Sequence, residues 1–594
     1  MFMSDLSSSS HLFDMIASNV FGRLQKPHVL VLGLGESGLA CARWCLQYGC
    51  RIRIADTRLV PPKLKDLIAS IVTNHAFQNK NLAENKIDDT NKIDDANEYA
   101  NAVAVDNYQS VLLKAGIEFY AGCFTEDLLS DIELIAISPG LSLQEKTISQ
   151  LLNIAKEKDI PIWGEFEFFS LALKALAELD KSKNNDKDLS YQPKILAITG
   201  TNGKTTTAVL TEKMIARCGY KTALAGNISP ALLDRLRHAL EQNKSGVTMP
   251  EVWVIEASSF QLSTTQSFNP NAAALLNITA DHLDWHINFD SYCAAKNKIF
   301  GNQTLRILCR DDSNSMQNVI SDQPYITFGK DLPKHAGDFG IQQEDAESWL
   351  VYAQAIQSSH DAIVNGPKRR LNNKPNNHDK HLQNFKLIRL MPLAAMHIQG
   401  WHNANNALAA LSLAKSIGCT FAPALHALHA YRGEPHRMQQ IATINRVHFI
   451  DDSKATNVGA TIAALEGLAK RCYLIAGGDG KQQDFSLLAP ALKKWCQQLF
   501  LIGRDAKQIA QVISNSDVTI EYFSSLINAV NAAAKCAQPG ETILLSPACA
   551  SLDMFENYHH RGEVFQNAVT ALAKLCTPSA SSVSSVSSVT QVTV

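Results

Sequence analysis

Residues Lys194–Thr207 have the sequence KILAITGTNGKTTT, an apolar run followed by a glycine turn and a helix-forming segment. Strand, glycine turn and helix in this order are the context of a phosphate-binding loop. Gly200 and Gly203 would let backbone N–H groups approach phosphate oxygens, and the helix dipole would add attraction. Lys204 would reach the β and γ phosphates, and the Thr205 hydroxyl would reach Mg²⁺. The stretch therefore predicts an ATP site.

The spacing of this loop departs from the usual GxxxxGK[ST] pattern. Ile198 stands where that pattern has its first glycine. A strand, turn and helix without a ligand is therefore the alternative interpretation.

Two further stretches favour a metal near this loop. Glu256 lies at the end of the strand-like run EVWVIE, and Asp281 and His282 follow a second such run in NITADHLDWH. Carboxylate oxygens suit Mg²⁺, so Glu256 is a candidate ligand. Taken singly, a glutamate at a strand end is commonly solvated and a lone histidine is commonly structural.

A second glycine-rich turn stands near the N-terminus, in HVLVLGLGESG followed by RIRIAD. Gly33, Gly35 and Gly38, with Asp56 at the end of the next strand, fit the dinucleotide fingerprint. Alone, this pattern indicates an NAD-dependent dehydrogenase. A uridine diphosphate also presents a pyrophosphate and a ribose, so the fingerprint indicates the shape of the ligand and not redox chemistry.

The length and the order of elements indicate an α/β protein of about three domains. The chain has 594 residues, and runs such as IELIAIS, CYLIAGG, QLFLIG and TILLSPA alternate with longer helical patterns. Strands that alternate with helices favour open parallel sheets, with the chemistry at the carboxyl ends of the strands.

Composition excludes several classes of function. The 55 basic and 57 acidic side chains nearly cancel, which gives no pull toward nucleic acid or a membrane surface. The 13 cysteines include no CxxC pair, so we expect reduced thiols rather than a zinc site. No signal peptide or membrane-spanning run is evident, and we expect a cytoplasmic protein.

Polar segments mark the joints of the chain. We predict surface insertions at about 74–107, where NKIDD occurs twice, and at about 360–384, a linker at 180–193, and a disordered tail at 577–594. The predicted domains are 1–192, 193–432 and 433–576.

Taken together, the motifs resemble the Mur ligase family over about residues 27–575, apart from the insertions. The specific stretches are TGTNGKTT, NITADHLDWH, GWHNANNALAA, GEPHRM, DDSKATN, GGDGK and SPACASLDMF. The resemblance implies an N-terminal Rossmann-like domain for the UDP moiety, a central P-loop ATPase-like domain and a C-terminal Rossmann-like domain for the amino acid. DDSKATN and SPACASLDMF are similar to the branch of the family that adds D-glutamate to UDP-N-acetylmuramoyl-L-alanine.

The resemblance also implies roles for individual residues. It assigns ATP to Gly200, Thr201, Asn202, Gly203, Lys204, Thr205, Thr206, Asn406, His436, Arg437 and Asp452. It assigns two Mg²⁺ ions to Thr205, Glu256, His282 and Lys296, the last carbamylated by carbon dioxide. The plain alternative for Lys296 is a surface lysine, and Lys298 is a neighbour that could be confused with it.

The same resemblance implies a substrate site. The uridine end would contact Glu36, Ser37, Asp56, Thr57, Arg58 and the turn at Ser138, and the reacting end would contact Asn227 and Ser258. D-glutamate would meet Lys454 or its neighbour Thr456, and also Lys481, Ser551 and Tyr558. Two positions depart from the family pattern: Tyr558 replaces a phenylalanine, and Glu36 stands where an apolar residue is expected.

The implied reaction forms an acyl phosphate from ATP and the alanyl carboxylate, which the amine of D-glutamate then attacks. Lys204, Glu256, His282, Lys296 and Arg437 would be the catalytic residues, and His282 or a nearby carboxylate would accept the proton of the amine. Closure of the C-terminal domain would exclude water. A monomer is expected. The alternatives are another Mur-type amide ligase and a non-catalytic regulator that binds UDP-sugar or ATP.

Overall fold

The computed structural model describes residues 20–21, 26–61, 63–78, 108, 110–183, 191–344, 347–356, 385–398, 400–480, 483–514 and 517–576. The chain divides into two compact units, which meet between Tyr431 and Arg432. Most of both predicted insertions and the whole predicted tail lie outside the described residues.

The first unit is built from strands and helices in alternation. Its strands are β1 (His28–Leu32), β2 (Arg51–Asp56), β3 (Ile117–Ala121), β4 (Leu134–Ile137), β5 (Ile162–Trp163), β6 (Lys194–Thr199), β7 (Thr222–Gly226), β8 (Val252–Glu256), β9 (Ala272–Leu275), β10 (Leu305–Cys309), β11 (Tyr325–Phe328), β12 (Phe339–Glu344), β13 (Glu347–Ala355) and β14 (Phe385–Pro392). Its helices are α1 (Glu36–Gln47), α2 (Leu64–Gln78), α3 (Lys146–Glu157), α4 (Glu165–Lys183), α5 (Lys204–Arg217), α6 (Leu232–Lys244), α7 (Ser259–Ser263), α8 (Leu283–His286), α9 (Phe289–Asn297), α10 (Ser313–Met316), α11 (Trp401–Ser416) and α12 (Phe421–Ala430).

The first sheet of this unit is parallel, in the order β3-β2-β1-β4-β5. Its central strand β1 pairs Val29 with Ile52 of β2 on one side and with Leu134 of β4 on the other. Every residue of β1 is buried, which explains the unbroken apolar run HVLVL. The glycine turn that follows β1 therefore lies at the carboxyl edge of the sheet, beside the ends of β2 and β4.

The second sheet is also parallel, in the order β11-β10-β9-β6-β8-β7. Its register pairs Ile198 of β6 with Glu256 of β8, and Thr199 with Leu275 of β9. The residues that follow these three strands consequently gather at one edge. This pairing brings Glu256 to the phosphate loop across more than fifty residues of sequence.

A third, antiparallel sheet (β12-β13-β14) completes the first unit. It was not predicted, since its strands carry polar residues on their exposed face and lack the apolar run of a buried parallel strand. For example, β14 (FKLIRLMP) is mostly half-buried or exposed.

The second unit has one six-stranded sheet in the described part of the chain, ordered β15-β16-β20-β17-β18-β19. Its strands are β15 (Gln439–Ile444), β16 (Val447–Asp451), β17 (Cys472–Gly477), β18 (Cys496–Ile502), β19 (Thr519–Tyr522) and β20 (Thr542–Leu545). Its helices are α13 (Val458–Leu468), α14 (Ala489–Trp495), α15 (Ala506–Gln511), α16 (Leu526–Cys536) and α17 (Tyr558–Cys576). All pairs are parallel except the hairpin β15-β16.

Two boundaries differ from the sequence prediction. The segment predicted as a linker from residue 180 begins inside α4, which continues to Lys183, and the insertion predicted from residue 74 begins inside α2, which continues to Gln78. A polar composition does not by itself mark the last residue of a helix.

The cysteine prediction agrees with the structure. Twelve cysteines, from Cys41 to Cys549, carry free thiols, and most of them are buried. No helix within those ranges is long and apolar enough to cross a membrane.

Candidate active site

The turn after β6 requires glycine at two positions. Gly200 and Gly203 have φ angles of 154° and 84°. A Cβ on Gly203 would overlap Oδ1 of Asn406, a buried side chain on α11, and a Cβ on Gly200 would lie 3.0 Å from Cβ of Leu276. The turn and Asn406 are therefore in close contact, which brings two of the predicted ATP residues together.

The segment after β9 holds the turn in shape. The Thr201 N–H donates to the Asn277 carbonyl oxygen at 2.8 Å, and the Asn202 N–H donates to Asn277 Oδ1 at 2.9 Å. Thr201 Oγ1 donates to the Thr279 carbonyl oxygen at 3.1 Å and lies 3.0 Å from the Tyr292 hydroxyl. The loop that leads into α5 is thus held in shape by hydrogen bonds from the segment after β9 and from α9.

Two lysines converge on one carbonyl oxygen of this turn. Lys204 Nζ and Lys296 Nζ each donate to the Gly200 oxygen at 2.9 Å, and Lys204 also donates to the Thr201 oxygen at 2.8 Å. Thr205 and Thr206 follow Lys204 in the first turn of α5, half-buried and buried respectively. Two lysine side chains are therefore brought together at the turn that leads into α5.

Lys296 is one of the largest fully buried side chains, with 2% of its surface exposed. Burial lowers the pKa of Lys296 well below its usual value, and the Lys204 ammonium lowers it further. Its Nζ also lies 4.5 Å from the centre of the Tyr292 ring. The interpretation of Lys296 as a surface lysine is therefore wrong, whereas its neighbour Lys298 is exposed and donates to the Ser263 carbonyl oxygen.

Glu256 ends β8 with one carboxylate oxygen held and the other open. Asn227 Nδ2 donates to Glu256 Oε1 at 2.8 Å, and the Asn227 N–H donates to the Glu256 carbonyl oxygen at 2.8 Å. Glu256 Oε2 is buried and accepts no hydrogen bond from the described residues. A buried carboxylate oxygen without a donor suits a cation.

Asp281 and His282 form a compact pair before α8. The His282 N–H donates to Asp281 Oδ1 at 2.9 Å, and His282 Nε2 lies 3.5 Å from Asp281 Oδ2. His282 has a φ of 54°, a left-handed conformation unusual for histidine, and its ring packs edge-on against Phe260. The left-handed backbone, the hydrogen bond to Asp281 and the ring contact with Phe260 together hold the imidazole beside the buried Asp281.

His286, which was not predicted, lies in the same cluster. It is buried, and its Nε2 lies 2.9 Å from Ser259 Oγ. Burial, with a contribution from the Lys296 charge, lowers the pKa of His286 to about 4. His286 is therefore neutral at pH 7.

These residues fit Mg²⁺ only together with a nucleotide. Within the described ranges, no group of three or more His, Cys, Asp and Glu side chains could hold a metal ion. Mg²⁺ is commonly held by one or two carboxylates plus substrate phosphates and water. The open oxygen of Glu256 and the Thr205 hydroxyl suit that mode, in which the phosphates supply the remaining ligands.

The N-terminal glycine turn is built on the same plan as the phosphate loop. Gly33 has a φ of 81°, and a Cβ on Gly38 would overlap the Gly33 carbonyl oxygen. Asp56 is buried at the end of β2; its Oδ2 accepts the Leu34 N–H at 2.8 Å, and both its oxygens accept from the Arg58 guanidinium at 2.8 Å. Burial opposes ionisation, yet the hydrogen bonds from Arg58 and Leu34 lower the pKa of Asp56.

Ser37 and Ser138 lie on two sides of this turn. Ser37 is buried and donates to Glu165 Oε2 at 2.6 Å, while a Cβ on Gly33 would lie 3.1 Å from Cβ of buried Ser138. Glu165 Oε1 accepts the Leu233 N–H at 2.9 Å. Burial raises the pKa of Glu165 to about 7. No sequence motif indicated Glu165, because its partners are 128 and 68 residues away.

The other predicted substrate residues of the first unit have varied surroundings. Glu36 and Thr57 are exposed beside the N-terminal turn, and Asn227 is exposed near Glu256. Ser258 caps α7, where its hydroxyl accepts the Gln261 N–H at 3.2 Å and the Gln261 amide oxygen accepts the Ser258 N–H at 3.1 Å. The Ser258 hydroxyl therefore has a structural task at the start of α7.

In the second unit, Asp452, which is predicted to bind ATP, is a buried acid. Its Oδ2 accepts from Ser546 Oγ at 2.8 Å, and its Oδ1 accepts the Met438 N–H at 3.2 Å. Burial raises the pKa of Asp452 to about 7, although the Arg437 charge acts in the opposite direction. The adjacent Asp451, which was not predicted, lies 2.7 Å from His436 Nδ1.

The residues predicted for D-glutamate lie on two neighbouring segments of this unit. Lys454 Nζ stands 3.6 Å from the centre of the Tyr558 ring, and the Thr456 N–H donates to the Lys454 carbonyl oxygen at 2.8 Å. Ser551 is buried, and its carbonyl oxygen accepts the Phe555 N–H at 2.8 Å. Lys481 lies outside the described residues.

Three family models match this chain. They are the MurD-like N-terminal domain of Mur ligases at residues 27–88, the Mur ligase middle domain at 198–414, and the glutamate ligase domain of Mur ligases at 436–549. Together they match more than half of the chain, in the order of the three predicted domains.

The similar curated proteins include the UDP-N-acetylmuramoylalanine–D-glutamate ligase of Paraburkholderia xenovorans, 48% identical over 92% of this chain and 97% of that protein. The protein of the same name from Burkholderia cenocepacia is 46% identical over 93% of this chain and 99% of its own length. Among solved structures, UDP-N-acetylmuramate-alanine ligase from Thermotoga maritima is 16% identical over 92% of this chain and 100% of that chain, with a TM-score of 0.48.

Proposed function

The chain belongs to the Mur ligase family, and on that premise we propose that it joins D-glutamate to the alanyl carboxylate of UDP-N-acetylmuramoyl-L-alanine, with conversion of ATP to ADP and phosphate. The observation that carries the proposal is the identity of 46–48% to ligases of that name over nearly their whole length. The predicted three-domain α/β fold is confirmed by the parallel sheets and by the three family models. The exact domain bounds and the individual site roles stay predictions.

In the first step, the alanyl carboxylate attacks the γ-phosphorus of ATP. An amine cannot displace oxide from a carboxylate. It can displace phosphate from an acyl phosphate, because phosphate is a good leaving group. Lys204, placed at the mouth of α5, would turn from the loop carbonyls to the phosphates and spread the developing negative charge. Mg²⁺, when bound, supplies further charge neutralisation at the phosphates.

The open oxygen of Glu256 supports its role as a ligand of that ion. Asn227 fixes the orientation of the Glu256 carboxylate by donating to its other oxygen. Asn227 would therefore orient a metal ligand in addition to its predicted contact with substrate. The predicted second Mg²⁺ at His282 would have the carboxylate of Asp281 close to the imidazole, and carboxylate oxygens suit this ion.

The surroundings of Lys296 support a carbamate on its side chain. Burial and the Lys204 charge lower the pKa of Lys296, which favours the neutral amine. The lone pair of that amine can attack carbon dioxide, and the new N–C bond with loss of one proton gives a carbamate anion. The modification would replace the repulsion between Lys296 and Lys204 with attraction. The two amines share one carbonyl oxygen, which makes that repulsion severe when both are charged.

In the second step, the amine of D-glutamate attacks the acyl carbon, and phosphate leaves. The attacking amine must be neutral, and His282 or Asp281 could accept its proton. His286 is buried and has its Nε2 beside Ser259, which argues against this role for it. The cytoplasmic location and the monomeric state stay predictions.

The proposal is tested with purified protein, Mg·ATP and UDP-N-acetylmuramoyl-L-alanine, to which D-glutamate, L-glutamate, meso-diaminopimelate or no amino acid is added. Phosphate release and product mass are measured in parallel. We expect turnover with D-glutamate alone. Turnover with another amino acid would indicate a different Mur-type amide ligase, and absence of turnover in all four reactions would favour a non-catalytic nucleotide-binding protein.

A further inference from the structure

Arg561, in the first turns of α17, has an environment unusual for an arginine. Its surface exposure is 0%, and burial lowers its pKa to about 10. Buried arginines are commonly paired with a carboxylate. The hydrogen bonds that the structure describes for Arg561 go instead to main-chain oxygens and one hydroxyl.

These hydrogen bonds join two separate segments of the second unit. On one side, Arg561 Nε donates to Ser453 Oγ at 3.1 Å and Nη2 donates to the Ser453 carbonyl oxygen at 2.7 Å. On the other side, Nη1 donates to the carbonyl oxygens of Cys549 at 3.1 Å and Ala550 at 3.3 Å. The planar guanidinium fork thus spans the segment after β16 and the segment after β20.

Each of these segments leads directly to a residue predicted to bind D-glutamate. Ser453 precedes Lys454, and Ala550 precedes Ser551. The first turn of α17 holds the same region a second time, since Ser453 Oγ donates to the Tyr558 carbonyl oxygen at 2.8 Å and the Tyr558 ring faces Lys454.

A third segment is tied to this arrangement through Ala550. The Asp479 N–H donates to the Ala550 carbonyl oxygen at 3.0 Å, and the Ala550 N–H donates to the Asp479 carbonyl oxygen at 2.8 Å. The Ala550 carbonyl oxygen therefore accepts from both Arg561 and Asp479. Displacement of Ala550 would disturb the end of β17 as well as Ser551.

We propose that Arg561 is a positioning residue for the amino-acid substrate, and that its guanidinium sets the spacing between the Lys454 and Ser551 segments. This inference rests on the proposed function, because it assumes that these two segments bind D-glutamate. Arg561 acts through the two segments and makes no contact with substrate itself.

A lysine cannot replace the arginine in this role. Its single ammonium nitrogen can donate three hydrogen bonds from one point, whereas the acceptors on Ser453 and on Cys549 and Ala550 are reached from three different guanidinium nitrogens. Arg561→Lys keeps the buried positive charge but has a shorter side chain that cannot reach both segments. This variant therefore separates the effect of hydrogen-bond geometry from the effect of charge.

The test measures kcat and the KM values for D-glutamate, ATP and the UDP substrate, with the thermal midpoint, for the full chain carrying Arg561→Lys or Arg561→Ala. We expect KM for D-glutamate to rise by about tenfold or more, because hydrogen bonds from a charged donor are lost. The other two KM values should stay within about twofold, and added guanidinium ion should partly restore KM in Arg561→Ala.

The matched control is Arg306→Lys in the first unit. Arg306, on β10, is also buried, and it donates to the main-chain oxygen of Asn318. We expect this change to lower the thermal midpoint and to leave KM for D-glutamate unchanged. A purely structural role for Arg561 would give the same result as the control, which would overturn the proposal.

If neither Arg561 variant folds, Ser453→Ala decides the question, since it removes one acceptor and leaves the arginine. A rise in KM for D-glutamate alone supports the proposal, and an unchanged KM overturns it. The proposed function is tested separately, because wild-type protein without D-glutamate-dependent turnover would contradict that function before any variant is compared.

Discussion

The two glycine turns of the first unit share a backbone plan and differ in the charge around them. Each follows a buried parallel strand, contains a glycine with positive φ and opens into a helix. Around the N-terminal turn, the carboxylates of Asp56 and Glu165 accept hydrogen bonds from Leu34 and Ser37. Around the central turn, the Nζ atoms of Lys204 and Lys296 donate to one carbonyl oxygen.

From this difference we predict that the glycine pattern sets how closely a ligand can approach each turn, and that the surrounding charge sets which ligand is preferred. A triphosphate needs cations, which the central turn provides. A uridine moiety offers hydroxyl and N–H donors, and its predicted place is beside the N-terminal turn.

The largest effect is expected at the central turn. Lys204→Met removes the positive charge at the start of α5, and we expect kcat for phosphate release to fall by about 10²–10³-fold. Lys213→Met, an exposed lysine on the same helix, is the control and should keep wild-type activity. Equal activity of the two variants in the phosphate-release assay would contradict the role of Lys204.

A somewhat smaller effect is expected at Lys296. Lys296→Ala should lower kcat by about 10–100-fold, as expected for loss of a group that supports a metal, and added formate or acetate should partly restore activity. Lys298→Ala is the matched neighbour and should be nearly silent. Carbon NMR with isotope-labelled bicarbonate should detect a carbamate in the wild-type protein; its absence there would exclude the modification.

The N-terminal turn can be tested by its shape. Gly38→Ala places a methyl group against the Gly33 carbonyl oxygen, whereas Gly35→Ala places one 3.4 Å from Ser138 Oγ, an ordinary contact. We expect Gly38→Ala to lower the free energy of unfolding by about 1–3 kcal/mol and to raise KM for the UDP substrate. Gly35→Ala should change the free energy of unfolding and this KM less than Gly38→Ala does. If urea unfolding showed Gly35→Ala to be the less stable variant, the predicted close contact at Gly38 would be contradicted.

The smallest effect is a pH dependence of stability from Glu165. Its pKa is about 7 in the folded protein, raised from the usual 4.5 by burial and by the nearby Asp234. Between these values only the folded state holds the proton, so stability is fully present below pH 4.5 and is lost as pH rises to about 7.

The slope should approach about 1.4 kcal/mol per pH unit and disappear above pH 7. Urea unfolding of wild type and Glu165→Gln between pH 5 and pH 8 measures this difference. Glu165→Gln keeps the size of the side chain and cannot titrate. Parallel pH profiles for the two proteins would place the pKa of Glu165 outside this range.

Local motifs predicted some of the site because their function depends on neighbours in sequence. Gly200, Gly203 and Lys204 lie within four residues, and any strand-turn-helix of that sequence would place the lysine at the mouth of the helix. Glu256 was predicted as a strand-end carboxylate, and the β6-β8 register explains its place beside the turn. The roles of these residues in binding stay predictions.

Other residues could not be predicted because their partners are distant in sequence. Asn277 holds the phosphate loop from 75 residues away, and Arg561 bridges to Ser453 across 108 residues. Neither stands in a pattern that points to its partner. The antiparallel third sheet was missed for a related reason, since half-exposed strands resemble loops in their composition.

The sequence alone determined the α/β class, the two glycine turns and the family, because each follows from a short apolar run, a glycine position or a motif. Only the tertiary structure decided that Lys296 is buried against Lys204, that Glu256 keeps one oxygen open, and that Glu165 and Arg561 join separate segments. These properties depend on which strands become neighbours in a sheet. Strand order brings together side chains that are far apart in sequence, and no local sequence pattern can predict that proximity.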